Sequence, residues 1–192
     1  NEDSHRATLA YVFDDKTTKL KSSYGTGYRF PSLFEMKYAY RASSATLPFV
    51  KAETSQSYDF GIEKSISPNL FIDLTYFNVK YFDALEGWKS NTAGGTSSTQ
   101  NTIATVKSQG IELMSKYKLN EFFNFGLNYT YTSSYDGADE QNLSGPDSGS
   151  QMVRVPRNLV NLITNIKVPA YKDLDITLRT KWSDKARDYG NG

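Results

Sequence analysis

Apolar and polar residues alternate with a period of two along most of the chain, and helical periodicity is largely absent. The clearest run is Phe123, Phe125, Leu127, Tyr129 and Tyr131, interleaved with Asn124, Gly126, Asn128, Thr130 and Thr132. The same pattern predicts a first strand over His5–Phe13, with Ala7, Leu9, Tyr11 and Phe13 on one face. A turn at Asp14–Thr17 leads into a second strand from Thr18. Tyr58, Phe60, Ile62 and Ile66 mark a strand starting near Ser55, and Ser67-Pro68-Asn69 a tight turn after it. Leu70, Ile72, Leu74 and Tyr76 carry the chain back toward Phe82. Ile111, Leu113 and Tyr117 mark a strand over about Thr105–Lys118, closed by a turn at Leu119-Asn120-Glu121. Val160, Leu162, Thr164 and Ile166 form one late strand, and Leu174, Ile176, Leu178 and Trp182 its return, joined at Pro169–Lys172. Alternation fails over Phe30–Thr54, Asp83–Asn101 and Ser134–Val155, which read as long loops, and Asp184–Gly192 opens another.

The fold class expected is therefore all-β, with about eight antiparallel strands in up-and-down order. Short turns and long loops alternate, so the long loops share one end. A transmembrane barrel is built that way, and strands of about 9–11 residues cross a bilayer when tilted. Lipid would take the apolar faces, with Tyr and Trp at the interfaces. In a soluble β-sandwich the same faces would form a core, and a carbohydrate-binding module of that kind is the soluble alternative.

Composition narrows the chemistry. The formal net charge is +1, and no basic stripe of the kind a nucleic-acid partner needs is present. There is no cysteine, which removes disulfides, thiolate metal sites and thiol nucleophiles. The single histidine, His5, leaves no imidazole-rich metal site and no Ser-His-Asp triad elsewhere. No apolar run approaches the roughly 20 residues of a membrane helix, but alternation hides barrel strands from hydropathy averaging. Aromatics are 14% of the chain, with 14 Tyr and 11 Phe, as interfacial girdles would require. Neither an initiating Met nor a signal peptide stands at Asn1, so an internal piece of a longer protein is expected.

The stretch Ser23–Glu35, SYGTGYRFPSLFE, begins as a strand and stops at Pro31, which has no N–H to give to a ladder. Gly25 and Gly27 share a face, where the missing side chains predict a tight bend or a close approach by another piece of protein. The run resembles a motif of TonB-dependent outer-membrane receptors, in which a barrel strand ends in Gly-x-Gly-aromatic-basic-x-Pro-Ser-Leu at the outer rim. Leu47–Tyr58 resembles the family's passage into the next strand, with Ala52-Glu53 in place of its Pro-Glu. Gly110-Ile111-Glu112 resembles the family's Gly-Ile/Val-Glu strand signature, and Arg154-Val155-Pro156-Arg157-Asn158 its Arg-x-Pro-Arg approach to a late strand. In order and spacing they are similar to about strands twelve to nineteen of an about 22-stranded barrel, the size class whose lumen is plugged.

The resemblance implies that residues 1–192 belong to the barrel domain, without the plug domain and TonB box. It implies an outer-membrane location in a Gram-negative bacterium, contact with outer-membrane lipid, and uptake of an iron-siderophore or cobalamin driven by the TonB complex through the plug. The short turns and the Tyr189 region are similar to cobalamin receptors, while siderophore receptors share most of the other signatures. A passive porin-like or adhesin barrel is the membrane alternative. Candidate ligand contacts are Lys37, Tyr38, Tyr40, Arg41 and Trp88, since aromatic faces bury ligand area and guanidinium supplies forked donors to anions. No enzyme activity, cofactor or metal is expected. The acidic group Asp136, Asp139, Glu140 and Asp147 lacks the spacing of a calcium loop. Asp83 with Glu86 falls where a strand becomes a loop, and Gly25-Thr26-Gly27 lacks the third glycine and the helix of a dinucleotide site. The sequons at Asn128 and Asn142 are chance matches in a bacterial membrane setting.

Overall fold

The computed structural model describes residues 3–36, 50–91, 96–101, 105–136, 151–152, 154–171 and 174–186; for 85–91, 96–101 and 136 it describes backbone placement alone. One antiparallel sheet of eight strands runs in chain order: β1 (Arg6–Val12), β2 (Thr18–Arg29), β3 (Glu53–Ser67), β4 (Leu70–Phe82), β7 (Val106–Lys118), β8 (Phe123–Asp136), β9 (Asn158–Lys167) and β10 (Asp175–Ser183). Between β4 and β7, the strands β5 (Leu85–Asn91) and β6 (Thr96–Asn101) pair only with each other. The span Asp83–Asn101, expected as loop, is thus largely a hairpin. It lies outside the main sheet, so neither of its faces needs an apolar set, and the alternation that reveals the other strands is missing.

The connections after β2, β4 and β8 are long and share one end of the sheet, and those after β1, β3, β7 and β9 are short and share the other. Strands such as β3 with 15 residues and β8 with 14 are longer than a bilayer crossing requires. The short turns are closed by side chains. Asp15 accepts hydrogen bonds from the N–H groups of Thr17 and Thr18 at 2.9 Å each and from the ammonium of Lys64 at 2.9 Å. The Lys64 contact first, and the Thr18 hydroxyl after it, hold the Asp15 carboxyl well below the usual carboxylate range. Asn120 accepts from the N–H groups of Phe122 and Phe123 at 2.9 Å, an Asx turn that sends β7 back into β8.

Register assigns every strand residue to one of two faces. Across β2, β3, β4, β7 and β8 the row Leu20, Ile62, Leu74, Leu113, Tyr129 shares one face, and so does the row Ser22, Phe60, Tyr76, Ile111, Tyr131. The other face carries Lys19, Lys21, Asp59, Glu63, Asp73 and Glu112. Large apolar side chains on the first face stay open: Leu9 is 73% exposed, Phe60 54% and Trp182 55%. No large side chain among the described residues is fully buried. A sandwich would bury those side chains against a second sheet about 10 Å away. The described residues form no such layer, which overturns the soluble-sandwich alternative and leaves the apolar face uncovered.

In the full-length protein, Leu74→Arg in the middle of the apolar face should cost about 2–4 kcal/mol of stability in a bilayer. Denaturant titration in lipid vesicles measures this. Spin labels at Phe125 and Leu127 should be quenched by a lipid-soluble reagent and shielded from a water-soluble one. The reverse pattern would remove lipid from this face.

Candidate functional site

The polar face is organised by ion pairs that cross strands. Lys19 and Glu63, directly opposite on β2 and β3, meet at 3.2 Å. Lys21 lies 3.4 Å from Glu63 and 2.6 Å from Asp73, which is one strand further on. That reach depends on Gly61, which sits on β3 between Lys21 and Thr75. A Cβ at Gly61 would stand 2.7 Å from Lys21 Cε and 2.6 Å from Thr75 Oγ1, so only glycine leaves a path for the lysine stem. The hydroxyl of Ser23 donates to Asp59, and that of Thr75 donates to Asp73 at 3.1 Å.

A hollow on this face is lined by Lys21, Asp59, Asp73, Thr75, Glu112 and Asn128. Three carboxylates there face one ammonium. Glu112 makes no ion pair or side-chain hydrogen bond among the described residues, so the hollow is net acidic and suited to a cationic surface. The signal for this cluster was present in the sequence as a repeat. Gly61-Ile62-Glu63 and Gly110-Ile111-Glu112 place a glycine and a glutamate on the polar face with the isoleucine between them on the apolar one. A Cβ at Gly110 would meet the Phe77 ring at 2.8 Å, so this second glycine receives a cross-strand aromatic. Gly25 and Gly27 answer the earlier question the same way. Both lie within the continuous strand β2, and Ser57 and Ser55 come close on the neighbouring strand, with Ser55 Oγ 2.9 Å from where a Cβ at Gly27 would stand.

At the long-loop end, the Ser23–Glu35 motif builds a clamp. β2 ends at Arg29, and after Pro31 a single helical turn covers 33–36. Ser32 and Glu35 cap it reciprocally: Ser32 N–H donates to Glu35 at 2.7 Å, and Glu35 N–H donates to Ser32 Oγ at 3.2 Å. Arg29 pairs with Glu35 at 3.1 Å and with Glu53 at the start of β3 at 3.5 Å. One guanidinium thereby ties the strand that enters the loop, the turn that begins it and the strand that leaves it. The Ser32 N–H first, and Arg29 beside it, hold the Glu35 carboxyl below its ordinary value. At the same end of β9, Asn158 donates hydrogen bonds from its backbone N–H and its side-chain amide to Asp184 at 3.2 and 2.9 Å, and accepts one from the Tyr129 hydroxyl at 2.8 Å.

The clamp points into the segment that holds Lys37, Tyr38, Tyr40 and Arg41, and those four residues lie outside the described residues. Trp88 falls on β5, whose backbone alone is described, so the grouping of these five stays an expectation from sequence. Asp139, Glu140, Asp147, Asn142 and Tyr189 also lie outside the described residues. Asp83 stands just beyond β4 with a left-handed φ of 51°, and Glu86 lies in β5. Among the described residues, no group of three or more His, Asp or Glu side chains is placed so that it could hold a metal ion.

Gly61→Ala should push Lys21 off Asp73 and cost about 1–3 kcal/mol by overpacking. A double-mutant cycle with Asp73→Asn should then be clearly non-additive, and full additivity would remove the coupling. Glu35→Ala should raise protease cleavage within 37–49 while leaving the barrel intact. The carboxyl is held low, so the clamp is whole above the pH at which a free glutamate ionises. It is lost as pH falls through Glu35's own lowered value. Cleavage in the unaltered protein should therefore rise only in acid.

The family model described as TonB dependent receptor-like, beta-barrel matches residues 1–192. No curated protein sequence matches the chain. Solved structures similar to it include the siderophore receptor PirA from Pseudomonas aeruginosa, with 16% identity over 94% of this chain and 30% of that one, and a TM-score of 0.68. They also include the pyoverdine outer membrane receptor FpvA from Pseudomonas aeruginosa PAO1, at 20% identity, 93% and 24% coverage and a TM-score of 0.65. The alcaligin outer membrane receptor FauA from Bordetella pertussis follows at 18% identity, 96% and 29% coverage and a TM-score of 0.63. Against PirA and FpvA the chain thus spans less than a third of the longer protein. At these identities the solved structures establish the fold, and the model that runs the whole length establishes the family. The chain belongs to the TonB dependent receptor-like β-barrel family, and its eight-stranded sheet is an arc of an outer-membrane barrel wall.

Proposed function

We propose that this chain forms part of the wall and rim of an outer-membrane receptor that takes up an iron-siderophore complex in a TonB-dependent step. The observation that carries the reading is one sheet with an apolar face fit for lipid and an ion-paired face fit for a filled lumen, in a chain matched by the receptor family over its full length. The names of PirA, FpvA and FauA support a siderophore as the ligand class. The likeness of the short turns and Tyr189 to cobalamin receptors rests on sequence alone, which makes a corrinoid the second reading.

In this reading the apolar face meets lipid and the long loops lie outside the cell. The acidic hollow at Asp59, Asp73 and Glu112 receives basic groups of a plug domain, through which the TonB complex acts. A charged surface with incomplete internal pairing suits a partner that must later shift, because water can replace each contact as it breaks. Ligand capture is assigned to Lys37, Tyr38, Tyr40 and Arg41, with Trp88 on the β5–β6 hairpin. Cation and ring surface together fit an anionic chelate. The role is transport without catalysis.

Removing Lys37–Arg41 from the full-length receptor should weaken equilibrium binding of the ferric siderophore and leave barrel assembly intact, since loops tolerate deletion better than strands. Arg41→Ala alone should cost on the order of 1–3 kcal/mol of binding. Undiminished binding and uptake after the deletion would move the ligand surface elsewhere. Corrinoid binding in its place would select the second reading.

A further inference from the structure

The polar face, lumenal in a barrel wall, is divided in its charge. Its acidic remainder is confined to β3, β4 and the long-loop half of β7, at Asp59, Asp73 and Glu112. From the row of Met114 down to the short turns, β7 to β10 carry the opposite sign. Lys116, Lys118, Lys167, Arg179 and Lys181 share that face with one described acid, Asp175. Asp175 stands directly opposite Lys167, and Glu121 of the β7–β8 turn shares a separate hollow with Lys167. That leaves Lys116, Lys118, Arg179 and Lys181, none of which has an ion pair or side-chain hydrogen bond among the described residues.

Register sets these four cations along two sides of a trough, with Lys116 and Lys118 on β7 and Arg179 and Lys181 on β10. Lys116 shares a row with Gly126, Ile163 and Arg179. The next row toward the short turns is Lys118, Asn124, Asn165 and Thr177. Three strand spacings, about 14 Å, separate β7 from β10. The floor between them is neutral. A hollow of about 460 Å³ opens on its β7 side, lined by Phe71, Lys116, Lys118, Asn124, Gly126 and Asn165 and by no described acid. Pro68 and Asn69 of the β3–β4 turn border it, which places it at the short-turn end. The volume is in the range of small-molecule sites. Gly126 deepens the hollow without being needed for packing. A Cβ there would meet only Ile163 Cβ, at 3.7 Å, an ordinary contact. At Gly61 and Gly110 the same addition would collide with neighbouring strands at 2.6 and 1.9 Å. Cross-strand contacts thus require glycine at 61 and 110, whereas at 126 the missing side chain leaves open space.

Building on the siderophore reading, we infer that this trough is a transit site for the anionic ferric chelate near the periplasmic mouth of the lumen. With the long loops outside the cell, the short-turn end is where cargo leaves. An anion in the lumen is repelled at Asp59, Asp73 and Glu112 and attracted toward β7–β10. One half of the wall therefore suits the basic groups of a plug, and the other half the cargo. Lysine fits a site that must release what it holds. Its ammonium is strongly hydrated and exposed here, so each contact is weak and exchanges with water. Phe71 and Ile163 add apolar area for the organic shell of the chelate.

The test uses the full-length receptor in intact cells with two radio-iron probes, a strongly anionic ferric tris-catecholate and a neutral ferric trihydroxamate. Binding is read in energy-depleted cells and uptake in energised ones. Lys116→Glu/Lys118→Glu should slow uptake of the anionic chelate at least about fivefold while its affinity at the long loops holds. Lys116→Arg/Lys118→Arg should keep the full rate, and Gly126→Leu, which fills the hollow without changing charge, should slow it. If the glutamate pair fails to assemble, Lys116→Gln/Lys118→Gln should assemble and still slow uptake at least about threefold. Unchanged uptake by an assembled pair overturns the transit site and leaves the siderophore reading standing. Uptake of the neutral chelate alone does the same. If the pair instead admits an antibiotic too large for a porin without cell energy, the plug has been loosened. The trough then holds acidic groups of the plug, and the proposal falls. A receptor that binds neither chelate overturns both readings together.

Discussion

In a membrane, no water is available to satisfy a strand's N–H and C=O groups, so every strand must be paired along its length. The unbroken ladder from β1 to β10 meets that constraint in the interior of the sheet. It also fixes the chemistry of the faces. Once the backbone is paired in register, each side chain has only two directions. The lipid side must then be apolar, and everything charged is driven to the lumenal side or to the rims. The distribution of carboxylates follows from this, with Asp59, Glu63, Asp73 and Glu112 on one face and none of the described acids on the other.

A single-layer wall has no core in the usual sense, and the burial agrees: among the described residues the most enclosed positions are Gly61, Gly110, Asn78 and Ser134. Specificity therefore comes from cross-strand contacts on the faces. Gly61 lets Lys21 pass to Asp73, and Gly110 lets Phe77 lie flat on its neighbour. Both contacts couple a strand to one beyond its own turn partner, which resists a register slip between hairpins. At the rims the same work is done by compact clamps. Asp15 with Lys64 closes the short-turn end, and Arg29 with Glu35 and Glu53 anchors a long loop at the other. The rim clamp explains why the Ser23–Glu35 motif is so specific in composition. It needs a strand end, a proline stop, an N-cap serine and an acid three residues on, each for a separate bond.

The lumenal and lipid faces carry their polar groups in different ways. On the lumenal face, cations and carboxylates are interleaved with an acidic remainder, an arrangement suited to a water-containing contact with a second protein surface. On the apolar face, the described strand charges are confined to the two ends, with Lys64 near the short turns and Lys80 and Lys107 toward the long loops.

The sequence by itself determined the strands, their order and which side chains share a face. A period of two over Phe123–Tyr131 leaves no other reading, and the turns at Ser67–Asn69 and Leu119–Glu121 carry their own chemistry. The family, too, was legible in Ser23–Glu35 and Gly110–Glu112. The β5–β6 hairpin was not, because a strand pair outside the sheet has no apolar face to betray it. The candidate contacts Lys37 to Arg41 and Trp88 rest on residue type, and their arrangement is not part of the described structure. Only the tertiary structure decided what lies across from what. That Lys21 reaches Asp73 over Gly61, that Glu112 joins the acidic hollow, and that Lys80 faces Lys107 all depend on register between strands. Alternation within a strand says which face a residue takes. A shift of two residues in pairing preserves every face while changing every neighbour, so the partners follow from turn length and cross-strand packing.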